Sequence, residues 1–339
     1  MKKSLLKFSF ALLFLVGLIN CITGQSSLYD HLFTSGQPLT LKVETKINKL
    51  ITAGATEKYQ DATIDIQQGE FQLSTDVQIR TRGKMRKTVC DLPPTKVKLS
   101  KKLLEEKGFA KKNKLKLVFP CRNTDQDEQK LIREHLIYDL YHLIDDNGLR
   151  SKVIDIEITT KGKTRYEFKS LLLEDEDAYA LRKNARIIEK GRLYQDGLER
   201  DSWLKMLWFS YMIGNTDWSL PHKHNVELVK LPKYTRSLSL PYDFDYSGFV
   251  YQDYAVPNPS LPIKSVRQRY FFQYEMTDDE CNRMIELFKS NQKAILDIIQ
   301  SNEDLNDINK KNCTDYLMDF FTELEDPEKL KKKIRLAGS

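Results

Sequence analysis

Two acidic stretches in the second half of the chain carry the residue types that phosphoryl chemistry needs. The first, IGNTDWSLPHKHNVELVKL at 213–231, sets Asn215, Asp217, His222, His224 and Asn225 between an apolar run and renewed apolar alternation. The second, PYDFDYSG at 241–248, interrupts a strand-like end with Asp243 and Asp245. A carboxylate can orient or deprotonate an attacking hydroxyl, while an amide and a second carboxylate hold the cations that neutralise phosphates. Asp217 is therefore the candidate base. Asn225 and Asp243 are candidate ligands for Mg²⁺ or Mn²⁺, with Asp245 in support, because hard oxygen donors suit those ions. Two other readings compete. Asn215, Asp217 and Ser219 are also ordinary turn formers after a helix, and the H-x-H pair of His222 and His224 beside acids could hold a transition metal for hydrolysis.

The first half offers a cationic complement. Between Arg80 and Lys116 there are 14 Lys and Arg against Asp91, Glu105 and Glu106. Such a run is a solvated face or a phosphate-binding surface. RTRGKMRK at 80–87 is a basic turn between strands, and PPTKVKL puts Lys96 and Lys98 on one strand face, since side chains alternate. Either of them, or the later Lys116, could reach a nucleotide phosphate. Glu134, on what reads as the only helix of this half, is the candidate ion-pair partner for that lysine.

The elements that must position these groups change character along the chain. LTLKVETKI, GEFQLSTDVQIRTRG, PTKVKLS and KLKLVF alternate apolar and polar residues, the pattern of an antiparallel sheet with one wet face. Ile132, Leu136, Leu140 and Leu143 then recur at helical spacing, with Gly148 closing the segment. KVIDIEITT and YEFKSLLLE read as strands, the second running into the acidic stretch from Glu174 to Asp177. DSWLKMLWFSYMIG is apolar almost all round and ends on Gly214, so it predicts a buried helix with a glycine stop. VELVKL and SLSLPYDFD predict a hairpin across PKYTR, which would fold Asp243 and Asp245 back over Asp217. The remainder predicts helices. The fold class is α+β, with a sheet-rich first lobe over 25–176, a helical second lobe over 177–339, and a cleft between them.

Residues 1–24 carry Lys2, Lys3 and Lys7, then the uncharged FSFALLFLVGLI, then Thr23 and Gly24 at a cleavage point. That layout predicts a secretory leader, too short in its apolar run for a membrane span. Asn20 stands where a small residue would precede a lipid-attachment cysteine, which favours soluble export, secreted or periplasmic, over anchoring at Cys21. The net charge of +6 falls to +3 once the three leader lysines are removed, so the balance makes no case for nucleic acid. Cys90, Cys121, Cys281 and Cys313 remain, an even number suited to disulfides in an exported chain. Their spacing favours Cys90 with Cys121 and Cys281 with Cys313; no CxxC pair supports zinc.

Taken together, RTRGKMRKTVCDLPPTKVKL, KLKLVFPC, LIREHLIYDLYHLI, FKSLLLEDEDAYALRKN, YMIGNTDWSLPHKHNVEL and PYDFDYSGFV resemble an uncharacterised exported bacterial family. That family is in turn similar to the spore-coat CotH kinases, an atypical protein-kinase-like group. The resemblance spans roughly residues 75 to 275. It implies a two-lobed kinase-like fold and a phosphotransferase using ATP with Mg²⁺ or Mn²⁺, acting on an exported protein or another envelope component. By the same resemblance Arg82 and the lysine strand contact the nucleotide, Glu134 belongs to the first-lobe helix, and the segment at Glu174 joins the lobes. Asp217 then matches the catalytic-loop acid, Asn225 the metal-binding amide and Asp243 the metal-binding acid. Asp217 and Asn225 stand eight residues apart, longer than the five of protein-kinase catalytic loops, and no glycine-rich phosphate loop is present.

Overall fold

The computed structural model describes residues 25–52, 58–189, 191, 194–272 and 275–336; the expected leader, with Cys21, lies outside them. The chain is a mixed α+β protein with a sheet-rich N-terminal region. In order come α1 (Leu28–Thr34), β1 (Thr40–Thr45), α2 (Ile47–Thr52), β2 (Gln60–Gln68), β3 (Phe71–Thr81), α3 (Arg86–Val89), β4 (Thr95–Lys98), α4 (Lys101–Glu106), β5 (Lys114–Val118), α5 (Asp125–Ile144), β6 (Ser151–Thr160) and β7 (Lys163–Leu173). The long helix carrying Glu134 is thus joined by four shorter ones in this half, and the expectation of a single helix is corrected.

The seven strands form a closed barrel in the order β1-β2-β3-β4-β5-β7-β6, not the expected open sheet. Closure comes from parallel pairing of β1 with β6, Leu41 opposite Ile156 and Val43 opposite Ile158. Alternation alone cannot separate the two outcomes, because a barrel interior and one face of an open sheet show the same period of two. Strand β2 escaped the sequence reading because its inward set is Gln60, Ala62, Ile64, Ile66 and Gln68, with a polar residue at each end. Both glutamines are buried and hydrogen-bonded, Gln60 Nε2 to Thr45 Oγ1 at 2.8 Å and Gln68 Nε2 to the Leu32 carbonyl at 2.9 Å. The donor side of each amide is thus partnered, while its buried Oε1 has no partner among the described residues.

The second half contains α6 (Glu176–Lys183), β8 (Arg186–Ile187), α7 (Arg200–Ile213), β9 (Val226–Lys230), β10 (Leu238–Pro241), α8 (Asp278–Ser301), α9 (Asp307–Leu324) and α10 (Pro327–Leu336). Strands β9 and β10 pair as the predicted hairpin, with β8 added at the edge. The segment from Tyr242 to α8 contains no α-helix among the described residues, which corrects the expectation that it would. No helix among the described residues is long and apolar enough to cross a membrane.

Two apolar clusters hold the chain together, one inside the barrel and one around α7, α8 and α9. Strand β7 feeds both, Leu172 pointing into the barrel and Leu171 and Leu173 into the helical cluster. Leu136, Ile137 and Leu140 of α5 also belong to the helical cluster, so this helix ties the two halves together. Cys90 and Cys121 form a disulfide. Cys281 and Cys313 do not: each is a thiol buried in the helical cluster, and burial pushes that of Cys313 up to about 11. A buried cysteine behaves as a small hydrophobe, and that packing role explains both positions without a bridge.

Alkylation of the unfolded, unreduced chain from residue 25 onward should therefore label Cys281 and Cys313 and spare Cys90 and Cys121, read by peptide mass. Replacing Cys90 by Ser should cost about 3–4 kcal/mol in chemical denaturation, because the bridge closes a loop of about this length in the chain-entropy model.

Candidate functional site

Helix α7 delivers the polar loop. Its first turn is capped by Glu199, whose carboxylate accepts from the Ser202 N–H at 2.8 Å, and Trp203, Trp208 and Phe209 bury its sides. It stops at Gly214, where φ is +65° and a Cβ would lie 2.1 Å from the Tyr316 hydroxyl. Asn215 then turns the chain, its Oδ1 accepting from the Asp217 N–H at 3.0 Å. The length of the loop is taken up by a small excursion. Ser219 and His224 exchange both backbone hydrogen bonds at 3.0 Å, so residues 220–223 fold out and return. Asn225, at φ +53°, comes back beside its start: Nδ2 donates to the Asp217 carbonyl at 2.7 Å and to Asp217 Oδ2 at 3.1 Å. His224 Nε2 meets Asp217 Oδ1 at 3.1 Å.

Backbone bonds bring the second acidic stretch to the same place. The Tyr242 N–H donates to the Asn225 carbonyl at 3.1 Å, and the N–H groups of Gly248 and Phe249 donate to the Gly214 and Ile213 carbonyls, each at 3.0 Å. Asp243 is held between these anchors at φ +58°, its N–H donating to the Tyr138 hydroxyl of α5 at 3.2 Å. Asp245 Oδ2 accepts from Arg86 Nε at 3.0 Å and from the Tyr254 hydroxyl at 2.8 Å. The same guanidinium donates through its NH2 group to Glu134 Oε2 at 2.5 Å. Glu134 is fully buried and Arg86 nearly so. The expected lysine partner of Glu134 is thus replaced by Arg86, which the sequence reading passed over inside RTRGKMRK.

A cleft of about 560 Å³ lies between the basic turn, with Pro94 and Val118 behind it, and the two acidic stretches. Arg82, Arg86, Asp217, Asn225, Asp243 and Asp245 all line it. Burial, and next the neighbouring Asp245, push the Asp243 carboxyl up to about 6 against the pull of Arg86 and Arg82. Asp243 is only half-buried by area but ringed by protein. Burial likewise pushes Glu134 up to about 7, against the pull of Arg86. Among the described residues no three His, Cys, Asp or Glu form a metal cage. A Mg²⁺ ion does not need one, since it is commonly held by one or two carboxylates together with waters and substrate phosphates. A crowded Asp243 beside an amide whose Nδ2 is already turned to Asp217 fits that mode. It does not fit a transition-metal hydrolase, which wants about three protein ligands: His222 is exposed and outside the cleft lining.

The remaining predicted residues are placed elsewhere. Lys98 lies over the Tyr59 ring at 5.6 Å and lines a different cavity at the barrel mouth. Lys96 pairs with Asp175 at 3.6 Å, while the buried Lys116 bonds Glu176. Glu174 is buried, its carboxylate shared by Arg150 and by Arg182 at 2.7 Å, so it fastens the connection to α6 and does not line the cleft.

No family model matches the sequence, and no curated protein matches it. Among solved structures, the Helicobacter pylori proinflammatory kinase CtkA aligns over 76% of this chain and 93% of its own, at 11% identity and a TM-score of 0.39. A likeness of that size leaves the reading of the cleft to its own geometry.

Removing Arg86 strands two buried carboxylates, so Arg86→Ala should cost about 3–5 kcal/mol in denaturant unfolding at neutral pH. Glu134 binds its proton more tightly folded than unfolded, so its contribution is fully favourable at acid pH and fades as pH rises through about 7. Stability should accordingly fall from about pH 4.5 to pH 7, and Glu134→Gln should flatten that slope.

Proposed function

We propose that the protein is a kinase-like phosphotransferase of the exported compartment, dependent on a nucleoside triphosphate and on Mg²⁺ or Mn²⁺. In this reading the barrel region to residue 176 and the helical region from 177 act as the two lobes, with 214–245 as the catalytic segment. One observation carries it: Asn225 is hydrogen-bonded to Asp217, the Tyr242 N–H bond to the Asn225 carbonyl brings Asp243 beside them, and all three line a cleft together with Arg82 and Arg86 of the first half.

The chemistry follows from that placement. Arg82 faces Asp243 across the cleft and can hold the triphosphate. The acceptor hydroxyl gives its proton to the Asp217 carboxylate as its oxygen bonds the γ-phosphorus. The bond from that phosphorus to the bridging oxygen breaks, and a nucleoside diphosphate leaves. Asn225 and Asp243 would hold the cation, which would neutralise charge at the phosphates. Asn225 fixes the Asp217 carboxylate, and Arg86 fixes Asp245 and with it the backbone that carries Asp243. The acceptor is an exported protein or another envelope hydroxyl.

A second reading, a binding module that transfers nothing, draws on both Asp217 oxygens being engaged, Oδ1 by His224 and Oδ2 by Asn225. Incubation with radiolabelled triphosphate and Mg²⁺ or Mn²⁺ separates the two. The kinase reading expects label in protein, lowered about 10²–10⁴-fold by Asp217→Ala, and a metal-dependent rise in melting temperature with nucleotide that Asp243→Ala removes. A thermal shift without any transfer would favour the binding module, and neither response would sink both.

A further inference from the structure

A second hollow, of about 310 Å³, opens beside the cleft, and the two share Pro257 and Val266 as a common wall. Residues 251–266 supply its lining. This segment is stiffened by Pro257, Pro259 and Pro262, whose rings fix φ. Arg267 pins its base, lying over the Tyr251 ring at 5.3 Å and the Tyr316 ring at 4.5 Å and donating to the Gly248 carbonyl at 3.4 Å.

Two observations say what the hollow takes. Gln252 lines it and is only 4% exposed, yet its side-chain amide makes no hydrogen bond among the described residues. Its Oε1 is shut in, so the NH2 group is the end left to the hollow. A buried amide in that condition is costly unless a ligand accepts from it. The second observation is charge. Asp253, the acid in the lining, is already bonded by Lys130 at 2.5 Å and paired with Arg122 at 3.4 Å. Lys264 also lines the hollow, and its ammonium has no ion pair among the described residues. The hollow therefore carries surplus positive charge and two hydrogen-bond donors, which suits a carboxylate, since an ionised carboxylate only accepts. The adjoining cleft adds an apolar element: Met85 and Val256 line it from its two sides and remain exposed, as side chains of a contact surface do.

We propose that the hollow is the acceptor subsite of the cleft, and that the acceptor is an acidic polypeptide. Its serine or threonine hydroxyl reaches Asp217, an apolar neighbour lies between Met85 and Val256, and an Asp or Glu carboxylate farther along enters the hollow against Gln252 and Lys264. This rests on the reading of the cleft as a phosphotransfer site, and the transfer is the one written above: the hydroxyl oxygen bonds the γ-phosphorus, its proton passes to Asp217 and the diphosphate leaves. A neutral glycan offers hydroxyls but neither the apolar side chain nor the acid.

The test uses the purified protein with Mg²⁺ or Mn²⁺, radiolabelled ATP and synthetic peptides. Each peptide carries one serine beside a leucine, with Glu, Gln or Lys placed at successive positions away from it. At the best position the Glu peptide should show a KM about tenfold below that of its Gln counterpart, with the Lys peptide poorer still. Lys264→Glu should reverse the order of the Glu and Lys peptides, and Gln252→Leu should shrink the advantage of Glu over Gln; the melting temperature of each variant reports whether it folds. A Glu peptide no better than its Gln counterpart at any position, or a folded Lys264→Glu that keeps the wild-type order, overturns the acceptor subsite and leaves the phosphotransfer cleft standing. Metal-dependent stabilisation by ATP with no label in any peptide overturns the polypeptide acceptor alone. Neither stabilisation nor label overturns the reading of the cleft as well.

Discussion

One buried guanidinium organises the centre of this molecule. Arg86 comes from a four-residue helix at the barrel rim, yet its two contacts are Glu134 on α5 and Asp245 beyond β10. Burying three charges is unfavourable unless geometry is tight and partners are complete. Here the cost is offset by making one group hold three separate parts of the chain in register. The disulfide acts on the same joint: Cys90 directly follows α3, and Cys121 lies shortly before α5, so the bridge tethers the segment bearing Arg86 to the lead of the helix bearing Glu134.

The acidic floor of the cleft depends on backbone more than on side chains. Asn225 and Asp243 both adopt left-handed conformations that non-glycine residues seldom take. Such conformations persist where the surroundings over-determine them. Here the exchange between Ser219 and His224, the Tyr242 bond to Asn225 and the paired bonds from Gly248 and Phe249 to the end of α7 do so. Gly248 has no room for anything larger, since a Cβ there would come 2.5 Å from the Val266 carbonyl.

Much of this was legible in the sequence where local chemistry decides. The glycine stop at 214, the hairpin returning Asp243 toward Asp217 and the Cys90–Cys121 spacing all follow from rules that act over short distances. What was hidden depends on tertiary partners. Arg86 is one cation among 14 in its stretch, and only the arrival of Glu134 and Asp245 distinguishes it. Lys98 alternates in phase with Lys96 yet lies by Tyr59. The eight-residue step from Asp217 to Asn225 reads as a misfit until the excursion at 220–223 closes on itself. Cys281 and Cys313 have the spacing of a bridge, but packing uses them as core atoms. A polar-ended strand such as β2 hides because the Nε2 groups of its buried glutamines find their acceptors in other segments, at Thr45 and Leu32.

Barrel closure has a consequence in time. The pairing of Thr40–Glu44 with Asp155–Thr159 joins segments more than a hundred residues apart. Contacts of that sequence separation require a large loop to be ordered before they yield any stabilisation, and they slow folding. Until β6 arrives, β1 presents an unpaired edge, since β2 covers only its other side, and an open edge of this kind pairs with other chains. A chain that emerges N-terminus first would therefore carry this strand edge uncovered until nearly half of it had emerged, and its yield would depend on how that interval is protected.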